Sequence, residues 1–439
     1  MITRRGWAAV GGALAGLLLA AGSLNPVVLA VALALFVLVT IEVIRFHLQF
    51  RHLTVDDFAV ERTPTPSRLP VGSEFIAGVT VRYEGRSPAW LAVSDLVPEA
   101  FPITVGPPRT VARVEPGGSI ALRYAIRPAL RGAYVLGPVG IAVLDPLGLS
   151  RLIFRPLASR RAATVVPAAI VAPAIRPGLA LFSRTALGID LRRRGYGTEF
   201  RSLRPYQPFD DIRHMAWKRS RPPTYYVREF EQESRQTILA VLDLSPPMSA
   251  GLWGENALDR SVEAAALLAA LISRQGEDRI GLATFAGSLF QYIAPTRASE
   301  LTLVKLGDNL AMVAPRPGEF QFAKLLNELT KRLDTPSHVF LFSTLQGPMT
   351  DLHLALLKFR RRGHRLYTFV PRLAGFYPDP KDSAGVPALE WARGQERLRT
   401  DWVLRIARSE GIVSLPFDRR GANGAVLRAY TAIRGGMVG

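Results

Sequence analysis

Asp243 and Ser245 stand two positions apart at the end of the apolar run Thr237 to Leu242. That puts a carboxylate and a hydroxyl at the carboxyl end of a strand, where α/β sheets place ligand sites. A hard divalent cation such as Mg2+ takes oxygen ligands, and a carboxylate with hydroxyls from converging loops supplies them. The alternative for Asp243 is local: it caps the turn that follows or pairs with an upstream arginine. The second candidate is the segment Arg194 to Glu231, which sets Tyr206, Asp210, Asp211, Arg213, Trp217 and Lys218 in a stretch of weak amphipathic periodicity. Core packing does not account for those residue types. Arg204 and Arg213 carry planar forks suited to bidentate pairing with Asp210, Asp211, Glu229 or Glu231, and Trp217 offers an apolar plate beside Lys218. Such a network either pins a long irregular segment against a sheet or presents a docking surface. From Arg184 to Arg235 twelve Lys and Arg stand against seven Asp and Glu, which suits an acidic partner face.

The elements that must position these residues follow from periodicity. After Gln236 apolar strand runs alternate with helical patterns: Thr237 to Leu242, Leu258 to Arg274, Arg279 to Phe285, Phe322 to Leu333, His338 to Phe342, Asp351 to Arg362, His364 to Val370 and about Arg397 to Glu410. This order predicts a mostly parallel, doubly wound sheet with helices on both faces. Between about Asp56 and Pro173 short alternating runs such as Phe75 to Tyr83 and Ile120 to Ile126 are punctuated by Pro70-Val71-Gly72 and Pro116-Gly117-Gly118. That reads as an antiparallel β-sandwich or barrel, with carboxylates scattered and no cluster that carries chemistry. Asp145-Pro146-Leu147-Gly148-Leu149 reads as a turn.

Ahead of these, Trp7 to Ala21 and Val27 to Thr40 are almost wholly apolar, and with their flanks each gives about 17–19 residues of helix, close to bilayer thickness. Arg4 and Arg5 precede the first run and Arg45, Arg51 and Arg62 follow the second, which places both ends in the cytoplasm. A signal peptide fits the first run alone; the second run favours a two-pass anchor in the inner membrane. The expected divisions are 1–53 for the transmembrane anchor, 54–175 for the β-sandwich-like domain, 176–235 for the Arg/Asp/Trp-rich segment and 236–439 for the α/β domain. The chain of 439 residues has no cysteine, which excludes disulfides and thiolate metal sites, and its net charge of +19 favours acidic partners.

Gly197-Thr198-Glu199-Phe200, Leu203-Arg204-Pro205-Tyr206, Asp210-Asp211-Ile212-Arg213 and Trp217-Lys218, with Pro208-Phe209-Asp210 and Ser220-Arg221 as variants, resemble the motif set of the family called domain of unknown function 58. The same resemblance takes in Arg131-Gly132-Ala133-Tyr134-Val135-Leu136-Gly137-Pro138. Asp243-Leu244-Ser245-Pro246-Pro247 resembles the Asp-x-Ser-x-Ser loop of von Willebrand factor A domains, whose metal-ion-dependent adhesion site adds a Thr and an Asp from later loops. Here Pro247 takes the second serine position, with Ser249 as a possible substitute. Gly318-Glu319-Phe320-Gln321 offers no threonine, and Ser343-Thr344 offers hydroxyls in place of a carboxylate. The resemblance implies a von Willebrand factor A-like domain carried by a membrane-anchored adaptor, a MoxR-type AAA+ ATPase as partner and a client protein on which that ATPase acts.

No Gly-x-x-x-x-Gly-Lys-Ser/Thr loop, Gly-x-Ser-x-Gly elbow or His-Glu-x-x-His motif occurs, so the expectation is a protein that is not an enzyme, with Mg2+ as the sole cofactor to weigh. The alternatives are a hydrolase using Asp243, Asp210 or Asp211 with one of six histidines, and a basic nucleic-acid binder, although no nucleic-acid module is present.

Overall fold

The computed structural model describes residues 2–22, 25–156, 159–171, 194–195, 199–208, 210–231, 235–275, 277–348, 351–378 and 385–434. It divides into two compact units, Met1–Val165 and Val166–Gly439. The expected division at 175/176 lies outside the described residues.

The first unit opens with two helices, α1 (Arg4–Gly22) and α2 (Pro26–Gln49). Both are long and apolar enough to cross a membrane. Asn25 caps α2, its side chain accepting from the Val27 and Val28 amides, and Pro26 supplies a first-turn φ at no cost in hydrogen bonds.

Eleven strands follow: β1 (Phe58–Arg62), β2 (Arg68–Pro70), β3 (Phe75–Tyr83), β4 (Ala89–Asp95), β5 (Ile103–Val105), β6 (Arg109–Val114), β7 (Ser119–Ile126), β8 (Gly132–Leu136), β9 (Val139–Leu144), β10 (Arg151–Phe154) and β11 (Arg161–Val166). They form sheets in the orders β1-β3-β7-β5, β10-β9-β4-β6 and β2-β11-β8. Alternate residues such as Val79, Val81, Leu91, Val93, Ile141 and Val143 meet in one core, joined by Phe46 and Phe50 from the end of α2. The inward face of β4 reads Ala89, Leu91, Val93, Asp95, so the alternation buries a carboxylate. Arg62 meets it bidentately at 2.6 and 2.8 Å, and the Tyr124 hydroxyl donates to it at 2.6 Å. Two N–H donors and a phenol thus satisfy a charge that alone would be costly to bury.

The second unit begins with the short helix α3 (Ala168–Val171) and a small antiparallel sheet of β12 (Arg194–Gly195), β13 (Glu199–Pro205) and β14 (Tyr226–Glu231), ordered β12-β14-β13. The main sheet then alternates with helices: β15 (Thr237–Asp243), α4 (Ala257–Gln275), β16 (Arg279–Phe285), β17 (Leu289–Arg297), α5 (Glu300–Ala311), α6 (Phe322–Arg332), β18 (His338–Phe342), α7 (Leu352–Arg361), β19 (Arg365–Pro371), α8 (Gly385–Ser409), β20 (Val413–Phe417) and α9 (Ala422–Arg434). The order is β17-β16-β15-β18-β19-β20, parallel throughout except for the antiparallel edge strand β17. Helices α4, α5 and α9 bury Leu268, Leu310 and Val426 on one face; α6, α7 and α8 bury Leu326, Leu356 and Leu404 on the other. The mixed α/β class and its doubly wound order therefore follow the expected alternation.

Candidate functional site

Strand order reverses between β15 and β18, the two central strands, and open α/β sheets hold ligands beyond such a reversal. Asp243 ends β15 and Ser343 follows β18, so the topology brings the two side chains together. The Asp243 carboxylate, 0% exposed, accepts from the Ser245 amide at 2.8 Å and from the Ser343 hydroxyl at 2.6 Å. Burial raises its pKa, opposed by the hydrogen bonds from Ser343 and Ser245. The first bond is the aspartate cap on the following turn; the arginine alternative is not what the carboxylate uses.

Loops converge beyond this pair. The Arg316 amide donates to Leu244 O at 2.8 Å, and Met248, Phe320 and Leu345 are each at most 1% exposed. A Cβ at Gly347 would lie 1.8 Å from Phe320 O and one at Gly318 2.6 Å from Ala286 O, so these loops approach at backbone contact distance. Leu345 sits at φ 53, which costs an ordinary residue roughly 1–2 kcal/mol; burial of its side chain and an amide bond to Ser343 Oγ at 2.9 Å offset that cost.

The other residues weighed for a cation lie as follows. Ser245 is buried; Ser249, the expected substitute at the second serine position, is exposed and donates to Pro246 O at 2.6 Å. Glu319 and Gln321 are exposed, and Thr344 is buried with no partner for its hydroxyl among the described residues. No group of three His, Asp or Glu among the described residues is placed to share a metal ion. What the crevice offers a divalent cation is one carboxylate, with both oxygens already engaged, and hydroxyls.

The upstream segment is less irregular than its sequence suggests. β13 pairs with β14 from Glu199↔Glu231 to Pro205↔Tyr226, and the loop 206–225 folds back on the pair. The Tyr206 amide reaches Tyr225 O and the Ala216 amide reaches Tyr226 O, each at 2.8 Å. Ser220 Oγ accepts from the Tyr226 amide at 2.9 Å and donates to Ala216 O at 3.1 Å. Asp210 takes the Arg204 fork, one arm at 2.7 Å, and the Gln207 amide at 2.8 Å; these donors hold its carboxyl below the usual range, the Arg204 side chain most strongly. Asp211 caps the turn Ile212–His214 by accepting from the Arg213 amide at 2.9 Å.

Backbone bonds and the two aspartates thus fix the loop, while Arg213, Trp217 and Lys218 take no part in fixing it. All three are exposed, Trp217 at 61%, together with Tyr206, Ile212 and Tyr225. Among the described residues of this segment Ala216 and Val227 are the buried ones, and Trp217 and Arg213 lie at the surface. Gly197, Thr198 and Phe209 of the motif set, and the side chains of Glu229 and Glu231, lie outside the described residues.

Residues 202–367 match the family described as "Protein of unknown function DUF58". That span begins in β13 and ends in β19, so it holds Asp243, Ser245 and Ser343 together with the loop 206–225. No curated protein matches the chain. Among solved structures, a conserved hypothetical protein BatB from Bacteroides thetaiotaomicron is similar at 15% identity and TM-score 0.31, over 46% of this chain and 99% of that one. An aerotolerance-related membrane protein from Bacteroides fragilis is similar at 14% identity and TM-score 0.30, over 46% of this chain and 100% of that one.

The Arg62–Asp95–Tyr124 network was missed from sequence. The signal was present in β4, where a carboxylate occupies the apolar phase of a strict alternation. Burial and the Asp95 carboxylate push the Tyr124 phenol well above its usual range, which fits a structural joint.

Proposed function

We propose that this chain is a membrane-anchored, non-catalytic adaptor that presents a von Willebrand factor A-like domain in the cytoplasm. Its partner on this reading is a MoxR-type AAA+ ATPase, which remodels or activates a client protein. The observation that carries the proposal is the loop 206–225: its backbone is fixed by its own hydrogen bonds while Tyr206, Ile212, Trp217 and Tyr225 stay exposed among Arg213, Lys218, Arg219 and Arg221. Aromatic and arginine side chains on a fixed backbone are what interface hot spots are built from, because little backbone ordering remains to be done on binding.

The sheet order with one antiparallel edge supports the domain assignment. One carboxylate already accepting two hydrogen bonds is a poor return for dehydrating Mg2+, which supports a role without a bound cation. The basic residues flanking α1 and α2 support a hairpin with both ends cytoplasmic.

The test is a pull-down of the tagged full chain in detergent, with and without ATP and Mg2+. The expected result is recovery of an AAA+ ATPase that is lost with Trp217→Ala while the thermal transition is unchanged. Recovery of no such ATPase under either condition overturns the reading.

A further inference from the structure

All six tryptophans of this chain are exposed, from 42% at Trp90 to 72% at Trp253. Two of them, Trp391 and Trp402, lie on α8 with Leu398 between them, exposed at 70%, 53% and 67%. At 100° per residue these three positions fall within roughly 40° of one another, a single stripe along the helix. The buried residues of α8 are Thr400, Val403, Leu404 and Ala407, so its first turns contribute nothing to the core.

Helix α7 meets its C-terminal end: His353 Nδ1 is 2.9 Å from Glu410 Oε2, and Arg360 donates to Glu410 O at 2.6 Å. Both helices bury their inner residues in the same core, so their outer faces point away from the sheet on the same side. The outer face of α7 carries Leu354 and Leu357, exposed at 54% and 39%, at helical spacing with Lys358 and Arg361. Arg360 and Arg362 are exposed too and donate to the Glu410 and Thr330 carbonyls. No acidic residue occurs from Leu352 to Tyr377, and along α8 the exposed Arg397, Arg399, Arg405 and Arg408 outnumber the exposed Glu390 and Asp401.

We infer that the outer face of α7 and α8 docks on an anionic lipid surface, that of the bilayer holding α1 and α2. Two features select lipid over a protein. Leucines and tryptophans backed by lysine and arginine, on two helices whose outer faces point away from the same side of the sheet, match an interfacial amphipathic surface: the apolar residues enter the headgroup boundary and the cations reach phosphates. The apolar hairpin of the same chain tethers it, so the local concentration of lipid is high and modest affinity is enough.

The chain has no cysteine, so a single probe reports its own position. Gln395 is exposed between Trp391 and Leu398, and Gln395→Cys carries an environment-sensitive label without removing an anchor. Glu300→Cys, at the exposed start of α5 on the opposite face of the sheet, is the control. The full chain is placed in bilayers of phosphatidylcholine, alone or mixed equally with phosphatidylglycerol, with brominated acyl chains as quenchers. The expected result is quenching at 395 in the anionic bilayer, several-fold weaker in the neutral one, absent at 300, and lost in Lys358→Glu/Arg361→Glu with an unchanged thermal transition. Equal iodide access at 395 in detergent and in both bilayers overturns the inference. So does a pyrene excimer between labels at 395, which assigns the face to a second copy, or protection at 395 that appears only on adding cytosolic protein.

Discussion

The loop after β15 and the loop between β13 and β14 contain similar chemistry, an aspartate followed within a few residues by side chains able to bind something, and the fold uses them in opposite ways. At Asp243 the carboxylate is buried, and its two oxygens accept from the Ser245 amide and the Ser343 hydroxyl. At Asp210 and Asp211 the carboxylates are spent on their own loop, and the aromatic and basic residues they position remain in water. A buried polar group with all its partners holds geometry, whereas an exposed aromatic on a fixed backbone keeps its binding energy available. The difference teaches that the polar residues of a segment and the residues available for recognition need not be the same ones.

That contrast is broken most directly at Asp243. Asp243→Ala leaves the Ser245 amide and the Ser343 hydroxyl buried without an acceptor, and is expected to destabilise the α/β unit by about 2–4 kcal/mol in denaturant titration. Asp243→Asn keeps the cap, offers a donor to Ser343 and removes a charge whose burial is unfavourable, so its stability should stay close to that of the parent. A Mg2+-dependent thermal shift in the parent that Asp243→Asn abolishes would assign the crevice to a cation after all.

The interior of the same sheet should respond to pH. His338, at the start of β18, is held neutral down to a pKa of about 4 by burial and by the nearby Arg365 cation. Its ring nitrogens meet Gln236 Oε1 at 2.9 Å and Tyr367 OH at 3.2 Å. An unfolded histidine takes up its proton near pH 6.5, so between that value and about 4 the unfolded state binds more protons and stability falls with acidification. The loss is at most about 3 kcal/mol. His338→Gln should flatten the stability profile across that window, measured by urea midpoints from pH 7 to 4.

Smaller effects belong to the exposed loop. Arg204→Gln removes the fork on Asp210 and should speed proteolytic cleavage within 206–225 while leaving the main thermal transition in place. Trp217→Ala should change stability by no more than about 0.5 kcal/mol, because a side chain 61% exposed holds little of the fold. A large loss of stability there would turn the surface back into a clamp.

The α/β order was legible because its four inner strands are continuous apolar runs bounded by helical periodicity, as in Thr237–Asp243 followed by Ala257–Gln275, whereas the half-exposed edge strands β17 and β20 gave no such run. The two apolar helices were legible for the same reason of composition, and their structured lengths run a few residues beyond the runs that signalled them. The loop 206–225 was only half legible. Its residue types announced polar contacts, but Asp210 pairs with Arg204 across a turn whose geometry depends on β13 meeting β14.

By itself, then, the sequence determined the local periodicities, the apolar hairpin and the residue types at the ends of strands, because these depend on neighbours a few positions away. Whether Trp217 is buried or exposed, whether Asp243 finds Ser343 a hundred residues later, and whether Trp391, Leu398 and Trp402 share a side with Leu354 were decided only by the tertiary structure. Burial and side-chain pairing are set by which strand becomes the neighbour of which, and the order β17-β16-β15-β18-β19-β20 is a property of the whole sheet that no single segment encodes.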